Sequence, residues 1–380
     1  MKKYDCRKLM NEIVMLKFFK QDFDALFIRG SMRQLQYSKE AILRAIKEVY
    51  TFAYWRKFEC LGKIESNLTV ENGDLGVSLT ADQKSLVYLK TWHSFEVITF
   101  DEMKPEININ GQTLDFGQDS DFRTFRQSAP IISMIDHDGN QWLVGFARSD
   151  RKNIYRLFKE NFDGKYQNNF QHEVDFVVST LVASPKETGR LILGTDDGQI
   201  GLLVNHELDA FDPNGEEILG EVHDINFLPD NRFFLSVHAD YEIYLWDYQE
   251  RKLVRKLPIQ ASKTAVNPVK PGEIYFSSGQ DIRVYDLETD LVHQLTDDLA
   301  IAGALICDSK GRFLLAGDPG TGGVRVYDIE TGERVKELKG GQLGYVESLL
   351  FSKEGYIVSA TKHGLSVFGR KKAEKKAGSL

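Results

Sequence analysis

The chain has 380 residues, 42% hydrophobic and 27% charged, with a formal net charge of −8. That size allows a large core or two to three ordinary domains, and the composition is that of a soluble globular chain rather than a disordered or fibrous one. No apolar run approaches the ~18 residues of a membrane span, and the three cysteines, Cys6, Cys60 and Cys307, are far apart and match no metal spacing. Buried thiols in a reducing cytosol are the expectation.

The N-terminal stretch MKKYDCRKLMNEIVMLKFFK is basic, but Asn11, Glu12 and Lys17 interrupt its apolar residues, so it does not read as a signal peptide. Residues 1–56 read as a helical extension. Leu9, Ile13, Leu16, Phe23 and Phe27 recur at helical spacing, and Gly30-Ser31 reads as a stop. Ser38 is a good N-cap for a second helix with Ile42, Ile46, Val49 and Ala53 on one face. Two helices this short bury too little to fold alone. They are expected to pack on the rest of the chain, on a partner or on a second copy.

Charge is unevenly spread. Residues 1–57 carry 13 Lys and Arg against 6 Asp and Glu, residues 58–369 carry 30 against 49, and residues 370–380 carry 5 against 1. A basic head and tail flank an acidic body, which speaks to partners and solubility rather than to fold.

Beyond residue 57 one pattern returns. YEIYLWDYQERKLVRKL (241–257), QDIRVYDLETDLVHQL (280–295) and GVRVYDIETGERVKEL (323–338) each hold an alternating strand, an aromatic followed by Asp, a polar turn and a second strand. Weaker copies are WHSFEVITFD (92–101), NIYRLFK (153–159), IGLLVN (200–205) and the strand ending at Phe368-Gly369. The strand ends fall at 101, 159, 204, 247, 286, 328 and 369, and the long first interval fits an insertion around 102–128. Short alternating strands between evenly spaced turns argue for an all-β fold. One such unit cannot bury both faces, so the units must pack on each other, and a closed ring leaves no exposed end.

This grammar resembles the WD40 repeat across residues ~58–369, most clearly from 220 onward. The resemblance implies a seven-bladed β-propeller over residues 57–369 whose ring is closed by the strand 57–65 within RKFECLGKIE, leaving 370–380 as a basic disordered tail. WD40 repeats usually carry a Gly-His whose His bonds a turn Asp. Here Gln342 and Glu221 stand where that His would fall, while turn Asp residues remain at Asp197, Asp240 and Asp281.

No GxSxG, HExxH, Walker-type loop or paired CxxC is present. GTGG (320–323) opens no helix, and LGTDDGQIG (193–201) lacks the alternating carboxylates of a calcium loop. No catalytic residue, metal or cofactor is assigned. The propeller register places His93, His238 and His363 in equivalent turns, with His223 beside them. The same face would present Trp92, Arg148, Arg151, Tyr241, Lys263, Tyr345 and Lys362. Aromatics, His and Arg are residue types that anchor protein interfaces. The expectation is a cytoplasmic, non-enzymatic scaffold or adaptor subunit that binds proteins through this face and the N-terminal helices. The rival readings are a metal-dependent propeller hydrolase or lactonase, and a nucleic-acid-associated module using the basic head and tail. Against the last, the acidic body disfavours broad phosphate contact.

Overall fold

A computed structural model describes residues 51, 54–65, 77–80, 85–91, 94–99, 112–115, 131–135, 140–149, 152–160, 166–204, 207–279, 281–298, 302–340, 344–352 and 355–370. Two compact units divide the chain, Met1–Phe58 and Glu59–Leu380. In the first, Thr51, Tyr54 and Trp55 are helical. The rings of Tyr54, Trp55 and Phe58 cluster with centroids 4.7 to 5.3 Å apart. The rest of the two expected helices, and the tail from 371, lie outside the described residues.

The second unit is all β. Its strands are β1 (Phe58–Glu65), β2 (Val77–Leu79), β3 (Ser85–Thr91), β4 (Ser94–Thr99), β5 (Gln112–Asp115), β6 (Ile131–Ile135), β7 (Gln141–Ser149), β8 (Lys152–Glu160) and β9 (Tyr166–Val174). There follow β10 (Val178–Ala183), β11 (Leu191–Thr195), β12 (Ile200–Val204), β13 (Glu207–Ala210), β14 (Val222–Phe227), β15 (Phe233–His238), β16 (Glu242–Asp247), β17 (Lys252–Gln260) and β18 (Thr264–Val266). The chain continues through β19 (Glu273–Ser278), β20 (Asp281–Asp286), β21 (Leu291–Thr296), β22 (Leu305–Cys307), β23 (Phe313–Gly317), β24 (Val324–Asp328) and β25 (Arg334–Leu338). It ends in β26 (Val346–Phe351), β27 (Ile357–Thr361) and β28 (Gly364–Arg370).

These strands form seven four-stranded sheets. Six are built from consecutive strands, β2–β5, β6–β9, β10–β13, β14–β17, β18–β21 and β22–β25. The seventh runs β26-β27-β28-β1, so its outer strand comes from the start of the unit. The inner strands neighbour each other in turn, from β2 by β6 around to β26 beside β2 again. That closed circuit of sheets is a β-propeller. Gln112–Asp115, inside the segment expected as an insertion, pairs with β4 as an outer strand.

Burial explains the strand sequences. The second strands β11, β15 and β23 are buried almost throughout, because a neighbouring sheet covers each face. Their sequences LILGT, FFLSVH and FLLAG are therefore nearly continuous apolar runs. The outer strand β17 faces water on one side, and buried and exposed positions alternate along most of it. Between sheets, Ile192, Val222, Phe234 and Trp246 share one cluster, and Leu235, Leu257, Ile274 and Tyr285 share the next. Each such side chain contributes about 1.5–3 kcal/mol of burial.

Polar side chains fix the turns. After the inner strands, Thr80 Oγ1 accepts from Ser85 N at 2.9 Å, Asp230 Oδ1 from Arg232 N at 2.9 Å, Asp308 Oδ1 from Arg312 N at 2.7 Å and Ser352 Oγ from Tyr356 N at 3.0 Å. After the third strands the aromatic–Asp marker acts likewise. Asp247 Oδ1 accepts from Gln249 N and Glu250 N, and Asp286 Oδ1 accepts from Glu288 N and Thr289 N. Asp328 Oδ1 accepts from Glu330 N. These short side chains offer the turn backbone the partners it would otherwise lack.

Candidate docking face

In the sheet of β14–β17, β15 starts at the end of the propeller opposite the inner-strand starts and returns to them at His238. The Val222↔His238 pairing places the β15–β16 hairpin at the end where β14 begins. The Val346↔Thr361 pairing does the same for the β27–β28 hairpin and β26. Hairpin turns and inner-strand starts therefore share one end. His223, Tyr241, Lys263, Tyr345, Lys362 and His363 all stand there.

Their environments differ. Tyr241 is 54% exposed, and Lys362 and His363 are exposed on their two-residue turn. His223 is half-buried, 3.9 Å from the Glu221 carboxylate, and its carbonyl accepts from Lys263 Nζ at 3.2 Å. Tyr345 is half-buried beside Gly303. A Cβ on that glycine would stand 2.3 Å from Tyr345 Cε1 and 2.1 Å from Val346 O, so only glycine lets the ring and strand lie this close. Burial pushes the Tyr345 hydroxyl above its ordinary pKa, Glu347 adds to the rise, and Lys263 opposes it.

His238 corrects the expectation. It is wholly buried at the end of β15, not in the turn, and presents nothing to a partner. Its Nε2 lies 2.9 Å from Ser236 Oγ and its Nδ1 lies 3.3 Å from Gly220 O. Trp246 Nε1 donates to the same Ser236 Oγ at 2.9 Å. Residues 236 and 238 share a face of the strand, two apart, so Ser236 links Trp246 to His238 within one sheet. Burial holds the His238 pKa below its ordinary value.

Trp92, His93 and Arg151 lie outside the described residues. Arg148 is placed in β7, paired with Asn153, beside the β7–β8 turn. Asp197 accepts from Thr195 Oγ1 and from Gln199 Nε2 at 2.9 Å. Burial alone would raise its pKa, and the hydrogen bonds from Thr195 and Gln199 outweigh that and hold it low. In the GTGG turn, Asp318 Oδ1 accepts from Gly320 N and Thr321 N, each at 3.0 Å, which is a turn function.

The inner strands enclose an axial channel of about 490 Å³, walled by Leu181, Asp224, Asn226, Thr264, Leu305 and Glu347 among others. Asn226 Nδ2 donates to Asp224 Oδ2 at 2.7 Å and to Thr264 Oγ1 at 3.1 Å, bridging two sheets. Among the described residues no three His, Cys, Asp or Glu side chains converge to hold a metal ion. Cys307 also lines the wall, and burial pushes its thiol pKa far up. The sequence reading missed Asp224, Asn226 and Glu347. Their signal is the polar residue recurring in the inner strands VHDINF and VESLLF. No helix among the described residues is long and apolar enough to cross a membrane.

No family model matches the chain, and no curated protein matches it.

Proposed function

We propose that the protein is a non-enzymatic protein–protein interaction scaffold, a divergent WD40-like propeller of seven blades. Partner proteins dock at the end where the inner strands begin. The carrying observation is the set of exposed side chains there, Tyr241, Lys362 and His363, on tight hairpins whose strands are locked between sheets. Rigid presentation lowers the ordering cost of association, so modest contact area can give useful affinity. The chemistry of the end supports binding rather than catalysis, because its titratable groups are engaged in structural bonds or stand apart.

Affinity capture from native lysate tests this. The tagged full-length chain should retain a protein in near one-to-one yield, and the double variant Lys362→Glu/His363→Glu should lose most of it. Equal retention by both forms would move the docking surface elsewhere. Capture of no protein by the native chain, with turnover of an ester or lactone, would end the scaffold reading.

A further inference from the structure

The sheets of a propeller end at their outer strands, and an unpaired strand edge offers its backbone to any other strand. Charged side chains normally guard such edges. Six of the seven outer strands carry at least one, namely Glu59 in β1, Asp115 in β5, Glu173 in β9, Glu207 in β13, Lys252 in β17 and Arg334 in β25. β21, with the sequence LVHQLT, holds no Asp, Glu, Lys or Arg. It also stands clear of its neighbours. Leu291 and His293 lie on one face and Val292 and Gln294 on the other, and all four are exposed. Leu291, at 66%, is the most exposed large apolar side chain among the described residues, and Val292 is 44% exposed.

β17 shows how such an edge is used. There the chain covers the edge itself: Asp212 N–H donates to Arg251 O at 2.9 Å, and Leu253 N–H donates to Asp212 O at 2.8 Å. β21 repeats that geometry without the cover. Val292 pairs with Tyr285 as Leu253 pairs with Trp246. Asp290 shares the left-handed backbone of Arg251, at φ 57° and 52°. The Val292 N–H and the Asp290 carbonyl therefore point off the sheet, and no other backbone group among the described residues bonds them. Alternation along the strand makes Gln294 the next outward residue. Of the flanking carboxylates, Asp290 pairs with Arg255 at 2.7 Å and Asp298 with Arg334 at 3.2 Å, while Asp297 lies past the end of the strand.

We propose that β21 is a self-association edge, at which two copies of the chain pair their β21 strands antiparallel about a two-fold axis. Val292 of each copy faces Gln294 of the other, and each such pair exchanges two backbone hydrogen bonds. His293 then faces its own copy, and Leu291 lies beside the copy's Leu295, covering apolar surface that water otherwise meets. A two-fold sets the side chains of the edge close to their own copies, so an edge bearing charges of one sign repels itself. β21 alone among the outer strands escapes that, which is why the occupant is a second copy. The contact lies on the rim, apart from the docking end, and does not depend on it. One pair of short strands buries little area, so the dimer is weak and concentration-dependent.

Sedimentation equilibrium of the full chain at pH 7.5 tests this. The mean mass should climb with concentration from one chain toward two. His293→Lys sets like charges directly opposite each other, so it should weaken association by about five-fold or more, while the thermal midpoint holds because the position is exposed. His293→Cys should form a disulfide-linked dimer under mild oxidation, because facing residues of a non-hydrogen-bonded pair bring their Cα atoms within disulfide reach. Glu337→Cys, exposed on β25, and the native chain should not. The proposal is overturned if the native mass stays at one chain or passes two, if His293→Lys associates as well as the native chain, or if His293→Cys cross-links no faster than Glu337→Cys. A native monomer that captures a lysate protein which His293→Lys loses would also overturn it, and would give the edge to another protein's strand. The variant Lys362→Glu/His363→Glu should leave this dimer intact, so failure of the docking reading and failure of this one are read apart.

Discussion

Ser236, His238 and Trp246 form a buried polar relay in which one hydroxyl serves two rings. Burial dominates the imidazole, holding its pKa low, while the Gly220 carbonyl pulls the other way. Folding therefore keeps His238 neutral where the unfolded chain would protonate it. Its contribution is complete above the unfolded value of about 6.5 and is lost as pH falls from there through the lower folded value, at up to ~1.4 kcal/mol per pH unit. Thermal midpoints followed from pH 7.5 to 5.5 should fall in the native chain and fall less in His238→Gln. Equal slopes would show that the imidazole takes up its proton without cost.

At the scale of one element, the aromatic–Asp marker joins two functions. The aromatic enters the core: Trp246, Tyr285 and Tyr327 are each 2% exposed or less. The next residue turns the chain, and where buried it also ties strands together. Asp247 Oδ2 accepts from Arg232 Nε at 3.0 Å and Nη2 at 2.8 Å, and the carboxylate is almost wholly covered. Asp247→Ala strands two backbone N–H groups and the guanidinium, so it should cost about 1–3 kcal/mol. Asp286 caps the same turn in solvent, so Asp286→Ala should cost clearly less. Chemical denaturation of the pair decides this, and an equal loss would show that burial adds nothing to the cap. Marker and strand grammar were legible because a turn acceptor and a buried ring have to recur wherever the sheet recurs. The site was less legible. Turn residues were identified by position alone, and position cannot tell His238, folded inward on Ser236, from Tyr241, held outward by a left-handed backbone. Nor could it show Tyr345 lying on Gly303, since that contact depends on two sheets approaching each other.

For the whole molecule, the strand that begins the propeller unit also completes its last sheet. β1 stands beside β28, so residues near 60 meet residues near 365. Ile64 is 7% exposed and shares a cluster with Leu86 and Val87 from one sheet and Val358 and Val367 from the next. These contacts join the ends of the unit, and contacts of such sequence separation form only after the intervening chain is organised. Removing three carbons there should destabilise by about 2–4 kcal/mol. The kinetic signature follows from the order of events. A contact made after the transition state leaves the folding rate nearly unchanged and accelerates unfolding. Ile64→Ala should therefore place nearly all of its loss on the unfolding limb of a denaturant chevron. Leu235→Ala, inside one locally connected sheet, should place a larger share on the folding limb. If Ile64→Ala instead slowed folding by its full equilibrium loss, the meeting of β1 with β28 would be an early event and the ring would assemble around its closure rather than toward it.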